Sequence, residues 1–172
     1  IVDNQISPYA VTKLAGELFC KMYHNLFRLN IICLRFFTVY GPRGRPDMAP
    51  YKFTNLIREG KTIEMYGDGT TKRDYTYVTD IVDGIMSALN LEREFEIINL
   101  GNSEAIELIK VIRLIEKNLG KKPNIKKLPI QPGDVPLTYA DISKAKKLLG
   151  YDPKVKIEEG IRLLVEWFIK FR

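Results

Sequence analysis

Between residues 8 and 28 apolar side chains recur every four positions, at Ala10, Leu14, Leu18, Met22 and Leu26, with Phe19 and Tyr23 beside them. Such spacing predicts one helix with a broad apolar face. Ser7 is placed to cap it, and Pro8 fits the first helical position, where a missing N–H costs nothing. The period then changes. "NIICLRFF", residues 30–37, is almost continuously apolar over the length of a strand, as expected of a parallel strand covered on both faces. Three prolines and two glycines in "TVYGPRGRPDMAP", 38–50, predict a loop without regular structure.

Residues 51–60 read as a short helix stopped by Gly60, and 62–67 and 73–78 as alternating strands around the turn "DGTTK". Thr79 is a candidate cap for the next helix, with Asp80 and Asp83 near its positive end. "FEIINLG", 95–101, reads as a buried strand and 104–119 as a helix ending at Gly120. "NIKKLPI" suggests a short strand, and helices are expected at 143–149 and 157–171, the last with Ile157, Ile161, Leu164, Val165, Phe168 and Ile169 on one face. Helix leading into apolar strand is the unit of a doubly wound sheet, so the class is α/β. No repeat or low-complexity tract interrupts it.

At 172 residues and 45% hydrophobic, the chain can bury about two-thirds of its unfolded surface as one domain. No apolar run reaches the roughly 18 residues that span a bilayer, and "IVDNQISPYA" lacks the layout of a signal peptide, so a cytoplasmic protein without membrane contact is expected. The missing initiator methionine makes residue 1 look like a cut. Cys20, in the predicted helix, and Cys33, in the predicted strand, read as buried free thiols. One histidine, His24, excludes a histidine-rich metal site and reads as a surface or helix-packing residue. The net charge of +6 raises nucleic acid as a partner, but the densest cluster, "GKKPNIKK", carries no aromatic residue for base stacking. It reads as a solvated loop and edge strand.

Candidate chemistry begins with Tyr9 and Lys13. Their i, i+4 spacing puts phenol and ammonium on one helix face, and a nearby ammonium favours the phenolate of a group that is otherwise a poor base at neutral pH. One such spacing is expected by chance in a chain with nine tyrosines. Its neighbours give it weight: "SPYAVTKLAGE", "LRFFTVYGPRGRPDMAP", "YGDGTTKRDYTYVTDIVDGI", "NLGN", "QPGDVPLTYADISKAKKLLGY" and "EEGIRLLVEWF" follow in order. From end to end the chain resembles the nucleotide-sugar epimerase and dehydratase branch of the extended short-chain dehydrogenase/reductase family. Within it, "RFFTVYGPRGRPDMAP" and "QPGDV" are most similar to the UDP-glucuronate 4-epimerases.

The resemblance implies a partial Rossmann-like parallel sheet, formed by residues 1–48 with 79–101 returning to it. A smaller α/β nucleotide-sugar-binding subdomain would take most of 49–172. It implies NAD as cofactor and a UDP-sugar as substrate. Tyr9 would act as base on the sugar 4-hydroxyl while the 4-hydrogen leaves as hydride; the 4-keto sugar turns over, and hydride returns to its other face. Lys13 would hold the nicotinamide ribose and keep the phenolate accessible. Phe36 and Phe37 match the position beside the nicotinamide, Phe37 being equally readable as core.

Thr38 matches a polar residue facing the sugar, and Arg45, with Arg43 as a weaker possibility, lies in a loop that could close on an anionic sugar through its fork of donors. Asp47, Met48 and Ala49 match the segment around the diphosphate, and Glu64 and Tyr66 the strand beside uracil. Arg73 matches the diphosphate-gripping arginine, and Asp134 a residue on the uridine ribose hydroxyls. Gln131 stands where galactose-type enzymes often carry arginine, which agrees with the glucuronate branch.

The family's Gly-x-x-Gly-x-x-Gly fingerprint has no match here, nor do the acidic residue for the adenosine ribose and the Ser/Thr that helps the tyrosine. The chain is therefore expected to be the C-terminal half of a roughly twice-longer enzyme, inactive alone. It should expose the apolar faces of 8–28 and 30–37 to the missing half, to a second copy in a homodimer, or to both. UDP-glucose or UDP-N-acetylglucosamine as substrate, a dehydratase, and a non-catalytic UDP-sugar-binding fragment stay open as alternatives.

Overall fold

The computed structural model describes residues 7–130 and 135–172. Ser7 accepts a hydrogen bond from the Ala10 N–H at 3.2 Å, and Pro8 opens α1 (Pro8–Phe27), which ends where Arg28 turns left-handed at φ 55°. Three residues later β1 (Ile31–Phe36) begins, and a one-residue break at Phe37 separates it from β2 (Thr38–Tyr40). Part of the loop expected over 38–50 is thus a strand. Thr-Val-Tyr is β-branched and aromatic, and the prolines begin only after it. Pro50 does not break structure either: it sits in the first turn of α2 (Ala49–Arg58), where its missing N–H is not needed.

β3 (Thr62–Tyr66) and β4 (Lys72–Tyr77) follow, then α3 (Val78–Leu89). Thr79 does not cap α3: the helix starts one residue earlier, with Tyr77 at the cap position and no side-chain bond there. Asp80 has other work. Its two carboxylate oxygens accept the Lys154 and Val155 N–H groups at 3.2 and 3.1 Å, while Asp83 stays exposed. β5 (Phe95–Leu100) comes next; the helix expected over 104–119 is a short strand, β6 (Ala105–Glu107), followed by α4 (Leu108–Leu119). β7 (Asn124–Leu128), α5 (Ser143–Leu149) and α6 (Ile157–Phe171) complete the described elements.

β1 pairs in parallel with β5, Phe36 opposite Leu100. β2 pairs in parallel with β4, which pairs antiparallel with β6, and β3 pairs in parallel with β7. Two apolar cores result. The larger gathers Phe53 and Ile57 of α2, Ile63 and Met65 of β3, Val111, Ile112 and Ile115 of α4, and Ile161, Leu164 and Phe168 of α6. The smaller sets Ile98 and Leu100 of β5 against Ile81, Ala140, Ile142 and Tyr151.

α1 belongs to neither core. Its one buried residue is His24, whose Nδ1 lies 2.9 Å from the Leu29 carbonyl and whose ring packs on Phe95, so the helix-packing reading holds over the surface one. Tyr9, Leu18, Phe19, Leu26 and Phe27 are each between 61% and 68% exposed. The apolar face expected to be open on this helix is open, whereas most of β1 is half-buried. Cys20 and Cys33 are free thiols, half-buried rather than buried. Among the described residues no helix is long and apolar enough to cross a membrane.

Candidate active site

The capped start of α1 fixes where its first turns point. Tyr9 and Lys13 project from one face, the Lys13 Nζ standing 5.3 Å from the centre of the Tyr9 ring, a cation–π distance. Below them α1 and β1 enclose a cleft of about 600 Å³, lined by Tyr9, Lys13, Glu17, Cys20, Cys33 and Phe36 among others. A two-pronged bond holds its walls together: Arg35 of β1 donates from Nε and Nη2 to the Glu17 carboxylate at 2.6 and 2.5 Å. That carboxylate raises the Arg35 pKa further.

The remaining candidate residues are spread from the cleft across the loop after β2 to β3 and β4. Phe36, 48% exposed, walls the cleft. Phe37 donates its N–H to the Leu100 carbonyl and packs on the smaller core. Thr38 opens β2 opposite Tyr75 of β4, so it lies one strand across and two residues along from Arg73. In the loop beyond, the exposed Arg45 fork grips Asp47 at 3.1 and 2.5 Å, which keeps the Asp47 carboxyl below its usual range. The same Asp47 carboxylate raises the Arg45 pKa. Arg43 of the same loop is exposed, with φ 59°.

Met48 occupies the cap position of α2 and Ala49 its first turn. Glu64 is exposed on β3, and Tyr66 ends that strand opposite Leu128, apart from the α1–β1 cleft in the pairing scheme. Arg73 is half-buried on β4 and donates to the Lys72 carbonyl at 2.9 Å. Gln131 and Asp134 lie outside the described residues.

Sequence reasoning passed over Asp74. This fully buried carboxylate next to Arg73 accepts four hydrogen bonds: Asn102 N–H and the Thr76 hydroxyl on Oδ1 at 2.7 and 3.0 Å, Ser103 N–H and Ala140 N–H on Oδ2 at 2.9 Å each. It joins β4 to the 101–103 turn and to the segment before α5. Gly101 has to be glycine here, because a Cβ would meet both Ala140 and Asp74. The signal was present: in a strand buried on both faces, an aspartate needs donors from its surroundings.

A family model described as GDP-mannose 4,6 dehydratase matches residues 3–164. The chain belongs to that family. Its members are NAD-dependent epimerases and dehydratases. A UDP-glucuronate 4-epimerase of Thermodesulfobacterium geofontis is 46% identical over 167 residues, 96% of this chain and 51% of the relative. An uncharacterized protein of Methanocaldococcus jannaschii is 53% identical over 98% of this chain and 52% of its own length. The UDP-glucuronic acid 4-epimerase from Bacillus cereus, solved in complex with UDP-glucuronic acid and NAD, superposes with a TM-score of 0.92 at 40% identity over 98% of this chain and 55% of that one. The parallel pairs described above are therefore part of a Rossmann-like α/β fold. The chain spans about half the length of the curated relatives it matches.

Proposed function

We propose that this chain is the C-terminal half of a cytoplasmic UDP-glucuronate 4-epimerase that interconverts UDP-glucuronate and UDP-galacturonate. The observation that carries the reading is the Tyr9–Lys13 pair at a cleft walled by Phe36. Tyr9 takes and returns the proton of the 4-hydroxyl; Lys13 favours the phenolate through its charge and holds a ribose hydroxyl. An open cleft with one aromatic wall and an ammonium at its edge fits the nicotinamide ribose end of NAD. Bound NAD supplies the acceptor that takes the C4 hydride and gives it back.

Thr38 and Arg45 receive the uronate carboxylate, for which a guanidinium fork is the matching donor. Arg73 neutralises the diphosphate, with Asp47, Met48 and Ala49 around it. Glu64 and Tyr66 flank the uracil, and Gln131 and Asp134 complete the uridine site. Residues 1–48 and 79–101 belong with the cofactor-binding sheet and most of 49–172 with the substrate.

The partner is the N-terminal half of the same enzyme, which brings the glycine-rich turn, and a second copy docks on the outer face of α1. Offering UDP-glucuronate and UDP-glucose to the intact enzyme tests the assignment. UDP-galacturonate is the expected product, and turnover of the neutral sugar alone contradicts it. The isolated chain is expected to be inactive, and epimerisation by it would refute the division into halves.

A further inference from the structure

Two groups in the cleft have no part in that reaction. Cys20 lies on α1 and Cys33 on β1, both half-buried and both lining the cleft. Their placement follows from the Glu17–Arg35 bond. α1 leads into β1 through residues 28–30, so helix and strand run in opposite directions. Three residues on from Glu17, the helix has risen about 4.5 Å to Cys20, on the same side. Two residues back from Arg35, the strand has moved about 6.6 Å to Cys33, on the same face and in the same direction in space. The thiols therefore form the next rung between the two elements, on the wall of the one cleft they share.

We propose that Cys20 and Cys33 are a redox-active dithiol that a hydroperoxide closes into a disulfide, stapling the helix of Tyr9 to the strand of Phe36. With hydrogen peroxide, the Cys20 sulfur attacks one oxygen; the O–O bond breaks, and the departing oxygen takes the Cys20 proton and leaves as water. The Cys33 sulfur then attacks the Cys20 sulfenic acid, an S–S bond replaces the S–O bond, and a second water leaves with the Cys33 proton. Two thiols have lost two electrons and two protons to one peroxide. A dithiol reverses the reaction by exchange.

The surroundings decide the pace. Burial first, then Cys20, pushes the Cys33 pKa up to about 11, so Cys33 is the slow, resolving partner at neutral pH. Closure accordingly quickens as pH rises from 7 to 9. The closed loop, residues 20–33, is short, and cross-linking it is expected to raise the melting temperature of the oxidised chain.

The test uses this chain and hydrogen peroxide. After alkylation in denaturant, intact mass and peptide mapping should show a monomer lighter by two hydrogens, with residues 20 and 33 linked, and dithiothreitol should restore the starting mass and melting temperature. Cys33→Ser should lose the cross-link and accumulate one added oxygen at Cys20; should that variant not fold, Cys20→Ser equally abolishes the cross-link. Oxygen adducts on both cysteines of the wild type, disulfides only between chains, or no change in mass would each overturn the proposal.

Discussion

α1 and α6 carry the same signature, apolar residues every three to four positions, and meet opposite fates. α6 buries Ile157, Ile161, Leu164, Val165 and Phe168, covered by α4, α2 and β4. Gly160 lets it come close, since a Cβ there would overlap the Tyr40 hydroxyl. α1, longer by five residues, buries His24. Periodicity specifies an amphipathic helix; it does not specify what covers it. In α6 the cover lies within the described chain, and in α1 the apolar face is exposed among the described residues.

The contrast can be broken by truncating each face. Phe168→Ala should cost about 3–5 kcal/mol in denaturant unfolding, because it empties the centre of the larger core. A much smaller loss would mean that core is loosely packed. Asp74→Asn comes next, at about 1–3 kcal/mol: whichever way the amide turns, a backbone N–H faces a donor or loses its acceptor. Chemical denaturation of the variant checks it, and an unchanged midpoint contradicts the four-bond hub.

Alkali should loosen the cores. Burial pushes the Tyr75 phenol up to about 12 and raises those of Tyr40 and Tyr151 as well. An unfolded phenol titrates near 10, so above that pH the unfolded chain releases protons the folded chain keeps, and stability falls. The contribution is fully present below about pH 10 and declines by up to roughly 1.4 kcal/mol per unit for each such phenol. Melting temperatures across pH 8–11.5 should be flat and then drop, and no drop above pH 10 contradicts the burial.

The smallest effect belongs to Leu18→Ala on α1, within about 0.5 kcal/mol for the lone chain, since Leu18 is 64% exposed. A large loss in dilute solution, independent of concentration, would contradict the exposure of Leu18.

Much of this was legible beforehand. The strands 31–36 and 95–100 and the helices ending at Gly120 and Gly150 follow from apolar pattern and left-handed glycine caps. β2 was missed because proline density was averaged over a window whose first three residues favour a strand, and β6 because three residues carry too little period to separate from the helix after them. At the site, the i, i+4 geometry of Tyr9 and Lys13 was readable from spacing alone. The Asp74 hub and the Cys20–Cys33 rung were not, because each joins positions brought together by folding: Asp74 meets Ala140 across 66 residues.

In the proposed reaction the Tyr9 phenol is the proton-transfer group at this cleft. The direct measurement compares UDP-glucuronate turnover by the intact enzyme with that of its Tyr9→Phe variant, alongside UDP-sugar affinity. Turnover is expected to fall by about 10²–10⁴-fold with affinity nearly unchanged. A variant that epimerises within a few-fold of the wild type would contradict it.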